Sequence, residues 1–235
     1  MLICIHICSG REWRSTKEIF EVKREDIHNY PLGEYFNQEI QNNQCLIYHS
    51  GPTKTRAAAA CQYAIEKWKP DVVIVLGTCG GVSENLKIFD IVMANKTVQY
   101  DCLDFMDGTE DIFNSPMTTE LDNSWVDINN IPEKITIGII GTADKDLNHE
   151  TAKLLRKENV LVVDWESGAI TKICELNKVK CLVLRGISDK PVSLEKADRE
   201  KQTNDYRKNT HSVMERLISL LPIIVKSTSG KFSLV

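Results

Sequence analysis

Lys69-Pro70-Asp71-Val72-Val73-Ile74-Val75-Leu76-Gly77-Thr78-Cys79-Gly80-Gly81 is the stretch from which the fold class can be read. Five apolar residues follow one another without alternation, the pattern of a strand buried on both faces by helices. Comparable runs occupy residues 2–8, 91–99, 135–140, 160–164 and 181–185, with a shorter one at 45–49. Helical stretches lie between them at 55–69, closed by Pro70, at 149–158, at 167–176 and at about 195–221, the last ended by Pro222. Strands alternating with helices predict an α/β protein with one mixed, largely parallel sheet. A length of 235 residues, with no repeat and no Pro/Gly/Ser-rich linker, suits a single domain over 1–235. The polar, irregular segment 101–132 reads as a long excursion or lid, and the tail 226–235 as frayed.

The composition excludes several classes of function. Lys and Arg total 29 against 33 Asp and Glu, a net charge of -4. A mildly acidic chain without a basic block is a poor partner for nucleic acid or an anionic membrane. No apolar run approaches the ~18–20 residues of a membrane span. The first residues lack the basic region and cleavage site of a signal peptide and read as a first strand. The eight cysteines form no C-x-x-C pair and mostly sit in apolar segments, as buried free thiols of a cytoplasmic protein do. Cys4, His6 and Cys8 share one strand face but spread over ~13 Å, too far apart to hold one metal ion.

Four segments carry candidate chemistry. Gly77, Gly80 and Gly81 follow a buried strand and fit neither a dinucleotide fingerprint nor a P-loop. They read equally as a tight strand-to-helix turn or as a loop that lets a ligand approach, with Thr78 beside it. Asp164-Trp165-Glu166 ends another strand, where open α/β sheets bind ligands. A carboxylate there can grip the vicinal hydroxyls of a sugar, or simply favour a helix N-terminus. Arg185-Gly186-Ile187-Ser188-Asp189 ends a third strand, so Asp189 reaches the mouth of the sheet, as a general acid or as a turn residue. Cys8-Ser9-Gly10-Arg11-Glu12-Trp13-Arg14 offers Glu12 as a base and Arg11 and Arg14 toward an anion, or a solvated first helical turn.

Taken in order, the segments resemble the nucleoside phosphorylase and nucleosidase superfamily, in particular the methylthioadenosine/S-adenosylhomocysteine nucleosidases. The likeness rests on the turn and helix Ser50-Gly51-Pro52-Thr53-Lys54-Thr55-Arg56-Ala57-Ala58-Ala59-Ala60 and on the run from Lys69 to Gly81. It also rests on Leu86-Lys87-Ile88-Phe89-Asp90-Ile91-Val92, on Val163-Asp164-Trp165-Glu166 and on Arg185–Asp189, and it spans residues 2–191. The resemblance implies a three-layer α/β/α sandwich around a twisted mixed sheet, in a homodimer or higher homo-oligomer. It implies cleavage of a purine N-glycosidic bond, with a small nucleoside as partner and without organic cofactor or metal. Asp189 matches the acid at the purine, with Ser188 orienting it. Glu166 matches the carboxylate on the ribose hydroxyls, Glu12 the base that activates water, and Thr78 the residue beside the nucleophile, next to Gly80.

The departures from the family pattern define the alternatives. Phe89 stands where the family has glycine. Trp165 replaces a methionine and can offer an aromatic face to the base, while Asp144 stands where an acceptor for a base amino group is expected. Val75 replaces the arginine with which phosphorylases neutralise phosphate, which favours water as the nucleophile. The spacing Gly10-x-x-x-Arg14 points the other way, toward a phosphorylase or a nucleotide hydrolase that uses Arg14. A catalytically silent nucleoside-binding module is the third reading.

Overall fold

A computed structural model describes residues 1–102, 117–191 and 195–229. Among these, ten strands join one sheet: β1 (Leu2–Ile7), β2 (His28–Tyr30), β3 (Gly33–Ile40), β4 (Asn43–His49), β5 (Val72–Gly81), β6 (Ile91–Gln99), β7 (Thr118–Glu120), β8 (Ile135–Thr142), β9 (Val160–Asp164) and β10 (Lys180–Asp189). The helices are α1 (Gly10–Ile19), α2 (Lys54–Trp68), α3 (His149–Lys157), α4 (Ser167–Leu176) and α5 (Lys196–Ser229).

β5 pairs in parallel with β1 on one side and with β10 on the other. β10 runs on antiparallel to β6, β6 pairs with β8, β8 with β9, and β9 returns to β5 through Gly80 and Gly81. Five strands thus close into a ring, and β1, β4, β3 and β2 extend from it as an open wing. The mixed sheet expected from the order of elements is present, with helices on both faces. Ala57, Ala60, Cys61 and Ala64 of α2 pack with Ile170 and Cys174 of α4 on one face. Trp13 of α1 and Val213, Met214, Leu217 and Leu221 of α5 cover the other. Both sides of β5 are therefore buried, as its unbroken apolar run requires.

The structure corrects four expectations. Residues 77–81 are not a turn, because β5 continues through them and pairs on both edges. α5 does not stop at Pro222 but carries it inside the helix. The missing N–H costs one hydrogen bond, and burial of Leu220, Leu221, Ile224 and Val225 on either side outweighs it. The part of the supposed lid at 117–132 is packed in place: β7 extends β6, and Trp125, Val126 and Ile131 are core residues. The tail read as frayed over 226–235 is helical through Ser229, with Thr228 buried; residues 103–116 and 230–235 lie outside the described residues. The hairpin β2–β3 went unmarked in the sequence, and of α1 only a first helical turn was read, as one of two alternatives. Cys4, His6 and Cys8 are buried, and His6 stacks on Tyr48 at 4.3 Å between ring centroids. No helix among the described residues is long and apolar enough to cross a membrane.

Candidate active site

The site forms where β5 separates β9 from β10. In the β5–β10 register Gly77 faces Arg185 and Gly80 faces Asp189, with a shift between Ile187 and Asp189. Such an irregularity re-aims the side chain that follows it. On the other edge Gly80 faces Val163, two residues before Trp165. Glu166, just past β9, and Asp189, at the end of β10, therefore flank the Thr78–Gly80 segment rather than each other. A cavity of about 270 Å³ lies there, lined by Glu12, Thr78, Gly80, Trp165, Glu166, Ser188 and Asp189 among others.

Glu12 enters the cavity from the first turn of α1. Ser9 caps that helix by accepting from the Glu12 N–H at 3.2 Å, and Glu12 Oε2 accepts from the Ser9 N–H at 2.9 Å. Glu12 Oε1 accepts from Thr78 twice, from its N–H at 2.6 Å and from its hydroxyl at 2.7 Å. These three donors fix a carboxylate that is only 2% exposed and leave about one acceptor position for a water. Arg14 is two residues further round α1 and exposed, outside the cavity lining.

Behind Glu12 lies a guanidinium that the sequence reading passed over. Arg185 is completely buried in the middle of β10. Its Nε lies 2.7 Å from Asp164 Oδ2, and its Nη2 lies 3.6 Å from Glu166 Oε2. Asp164 also accepts from the Thr142 and Ser167 hydroxyls and from the N–H groups of Glu166 and Ser167. Gly77 makes room for the guanidinium: a Cβ there would overlap Arg185 Nη1 and stand 2.9 Å from Glu12 Oε1. Both terminal nitrogens of Arg185 are buried without a hydrogen-bond partner among the described residues. The sequence did hold a signal, because an arginine inside Cys181-Leu182-Val183-Leu184-Arg185 has to be paired.

Glu166 precedes α4 and accepts from the Thr53 N–H at 3.3 Å. Thr53 holds a φ of +89°, a strained value for a β-branched residue, at the start of α2. Burial raises the Glu166 pKa to about 8, and Arg185 opposes that rise. Hydroxyl groups donating to the carboxylate would favour its charged form. Asp189 Oδ1 accepts from the Ser188 hydroxyl at 2.6 Å, so Ser188 holds it as expected. Its Oδ2 accepts from Gln202 Nε2 of α5 at 2.8 Å, a contact that no sequence spacing announced. Burial lifts Asp189 to about 6, with both hydrogen bonds pulling the other way. Trp165 lines the cavity with 37% of its surface exposed. Asp144 is not in the lining: its carboxylate accepts from the Lys54 N–H at 2.8 Å at the start of α2. The arrangement can thus hold a water on Glu12, grip hydroxyls on Glu166 and donate a proton from Asp189.

The family model of the phosphorylase superfamily matches residues 8–225. The chain belongs to this superfamily. One superfamily relative is a 5′-methylthioadenosine/S-adenosylhomocysteine nucleosidase from an Exiguobacterium species. It is 30% identical over 183 residues, which cover 73% of this chain and 77% of the relative. Another, the aminodeoxyfutalosine nucleosidase of Campylobacter jejuni, is 26% identical over 167 residues, 66% of this chain and 72% of its own. The fold is that of the 5′-methylthioadenosine/S-adenosylhomocysteine nucleosidase of Neisseria meningitidis in complex with methylthio-immucillin-A. The TM-score is 0.81 at 20% identity, over 96% of this chain and 99% of that one. The superfamily relatives named here are nucleosidases, hydrolases of N-glycosyl bonds.

Proposed function

We propose that this protein is an N-glycosidase that hydrolyses the bond between a purine and the ribose of a nucleoside or 5′-modified nucleoside. The observation that carries the reading is the meeting of Glu12, Glu166 and Asp189 on one cavity in three different environments. Asp189, lifted toward neutrality by burial, protonates the leaving purine at N7. Glu166 binds the 2′- and 3′-hydroxyls and stabilises the positive charge that grows on the ribose. Glu12, fixed by Ser9 and Thr78, orients and deprotonates the attacking water. Arg185 and Asp164 stiffen this floor, and Trp165 offers its ring to the base. The nucleosidase names of the superfamily relatives support the same reaction.

Water is preferred over phosphate as the nucleophile. Val75 is buried and apolar, Arg14 lies outside the cavity, and the charge of Arg185 is already met by Asp164. We take residues 1–235 as one domain, on the strength of a family match that spans most of the chain and a continuous sheet. That domain would work as a homodimer or higher homo-oligomer.

Chromatographic detection of free base in phosphate-free buffer tests the reaction. Base release is expected without phosphate. Asp189→Asn should lower turnover by about 100- to 10,000-fold, the usual worth of a general acid, with folding kept. Release only in the presence of phosphate would make the protein a phosphorylase, and wild-type turnover in Asp189→Asn would remove Asp189 from its role.

A further inference from the structure

One wall of the cavity is helix α5, and that wall is polar. Arg199, Gln202, Thr203 and Tyr206 recur at i, i+3, i+4 and i+7, so they share one face of α5. All four line the cavity. Two of them tie the wall to the floor. Gln202 donates to Asp189 Oδ2, and the Tyr206 hydroxyl lies 3.0 Å from Ser9 Oγ, at the start of the helix that carries Glu12.

The stereochemistry of the substrate says what meets this wall. In a β-nucleoside the base and the 5′ carbon leave one face of the sugar ring, and the 2′- and 3′-hydroxyls leave the other. With the hydroxyls on Glu166 and the base on Asp189, the 5′ substituent would run along α5, which Gln202 joins to Asp189. There it meets a guanidinium, a carboxamide and hydroxyls. An alkylthio group would strip water from these groups and return no hydrogen bonds. Arg199 offers planar paired donors suited to phosphate or carboxylate. Arg199 is the arginine of the cavity lining, it is exposed, and among the described residues no carboxylate pairs with it.

We infer that the substrate's 5′ substituent ends in an anionic oxygen group, a phosphate or a carboxylate, bound by Arg199 with Thr203 and Tyr206 beside it. The inference rests on the hydrolase reading above and narrows it. The acidic floor works with it. The Glu12 carboxylate disfavours an anion at the anomeric end while Arg199 draws it to the other, which favours one direction of entry for the nucleoside.

The test compares kcat/KM for base release from adenosine 5′-monophosphate, S-adenosylhomocysteine and methylthioadenosine in the wild type, Arg199→Ala and Arg199→Lys. The expected result is a preference over methylthioadenosine for adenosine 5′-monophosphate, a dianion, or for S-adenosylhomocysteine, a zwitterion that ends in a carboxylate. That ratio should fall at least tenfold in Arg199→Ala, mainly through KM, and recover in part in Arg199→Lys. The favoured one of these two tells phosphate from carboxylate. A preference for methylthioadenosine, or a ratio indifferent to Arg199→Ala, overturns the inference and leaves the hydrolase reading standing. If no substrate is cleaved, the hydrolase reading falls. Calorimetric affinities then decide the inference: adenosine 5′-monophosphate and S-adenosylhomocysteine are each compared with adenosine. Tighter binding of either ligand that is lost in Arg199→Ala sustains it, and affinities no tighter than that of adenosine end it.

Discussion

In the proposed reaction Asp189 is the acid, and its surroundings set its protonation. Its ordinary pKa of 3.8 is raised to about 6 because burial disfavours the charge more than Ser188 and Gln202 favour it. A general acid works only while protonated, so kcat/KM should decline as pH rises through about 6; a profile flat between pH 5 and 7 would contradict this. The same shift bears on stability. The folded state binds the proton more tightly than the unfolded one, so this contribution is full below the unfolded pKa of 3.8 and is lost as pH rises through 6. Thermal unfolding at stepped pH should show Asp189→Asn gaining on the wild type between pH 4 and 7.5. The sequence could place Glu12, Glu166 and Asp189 at one cavity because each stands at a strand end or a helix start and the motifs follow one another in the family's order, although each alone read as well as a helix-start or turn residue. It could not place Arg14, because spacing tells nearness and not direction. Two residues along α1 from Glu12 is a rotation of about 200°, which turns Arg14 to solvent. Asp144 failed for a similar reason: its loop brought it to the Lys54 N–H instead of the cavity.

At the scale of elements, α2 and α4 both begin at the site, one behind Thr53 and the other behind Glu166. They can lie close because α2 presents alanines, Ala57, Ala60 and Ala64, to the buried layer. Ala60→Leu should overpack this layer and cost about 1–3 kcal/mol in a denaturant melt. It should also raise KM, since the two helix starts would shift against each other; an unchanged KM would uncouple the layer from the site. The apolar strands were readable from their unbroken runs, and α4 from Glu166 onward matches its expected extent. β2 and β3 were not, because an edge hairpin half open to solvent keeps only part of an alternating pattern. The glycines of β5 misled for another reason. A glycine signals freedom of the backbone, and here what it provides is space for Arg185 rather than a bend.

For the whole molecule, the alternation of strand and helix was enough to show a mixed α/β protein with both sheet faces covered. Closure of the ring was out of reach, because it depends on β9 meeting β5 at two residue pairs and on β10 meeting β6 antiparallel. The polar wall of the cavity was equally hidden, since nothing in residues 199–206 says which face of a long helix looks inward. That helix divides its labour along its length: the first turns line the cavity, and the last are held in the core by Ile224 and Val225. Pro222 stands between the two and contributes no amide, so the Ile218 carbonyl lacks its helical donor. The ladder of backbone bonds is therefore cut at one known rung. In deuterium exchange followed by mass spectrometry, a nucleoside held at Arg199–Tyr206 should slow amide exchange toward residue 217, and that protection should stop short of 223–229. The helix would then record occupancy of the cavity up to Pro222, and beyond it only the stability of the core.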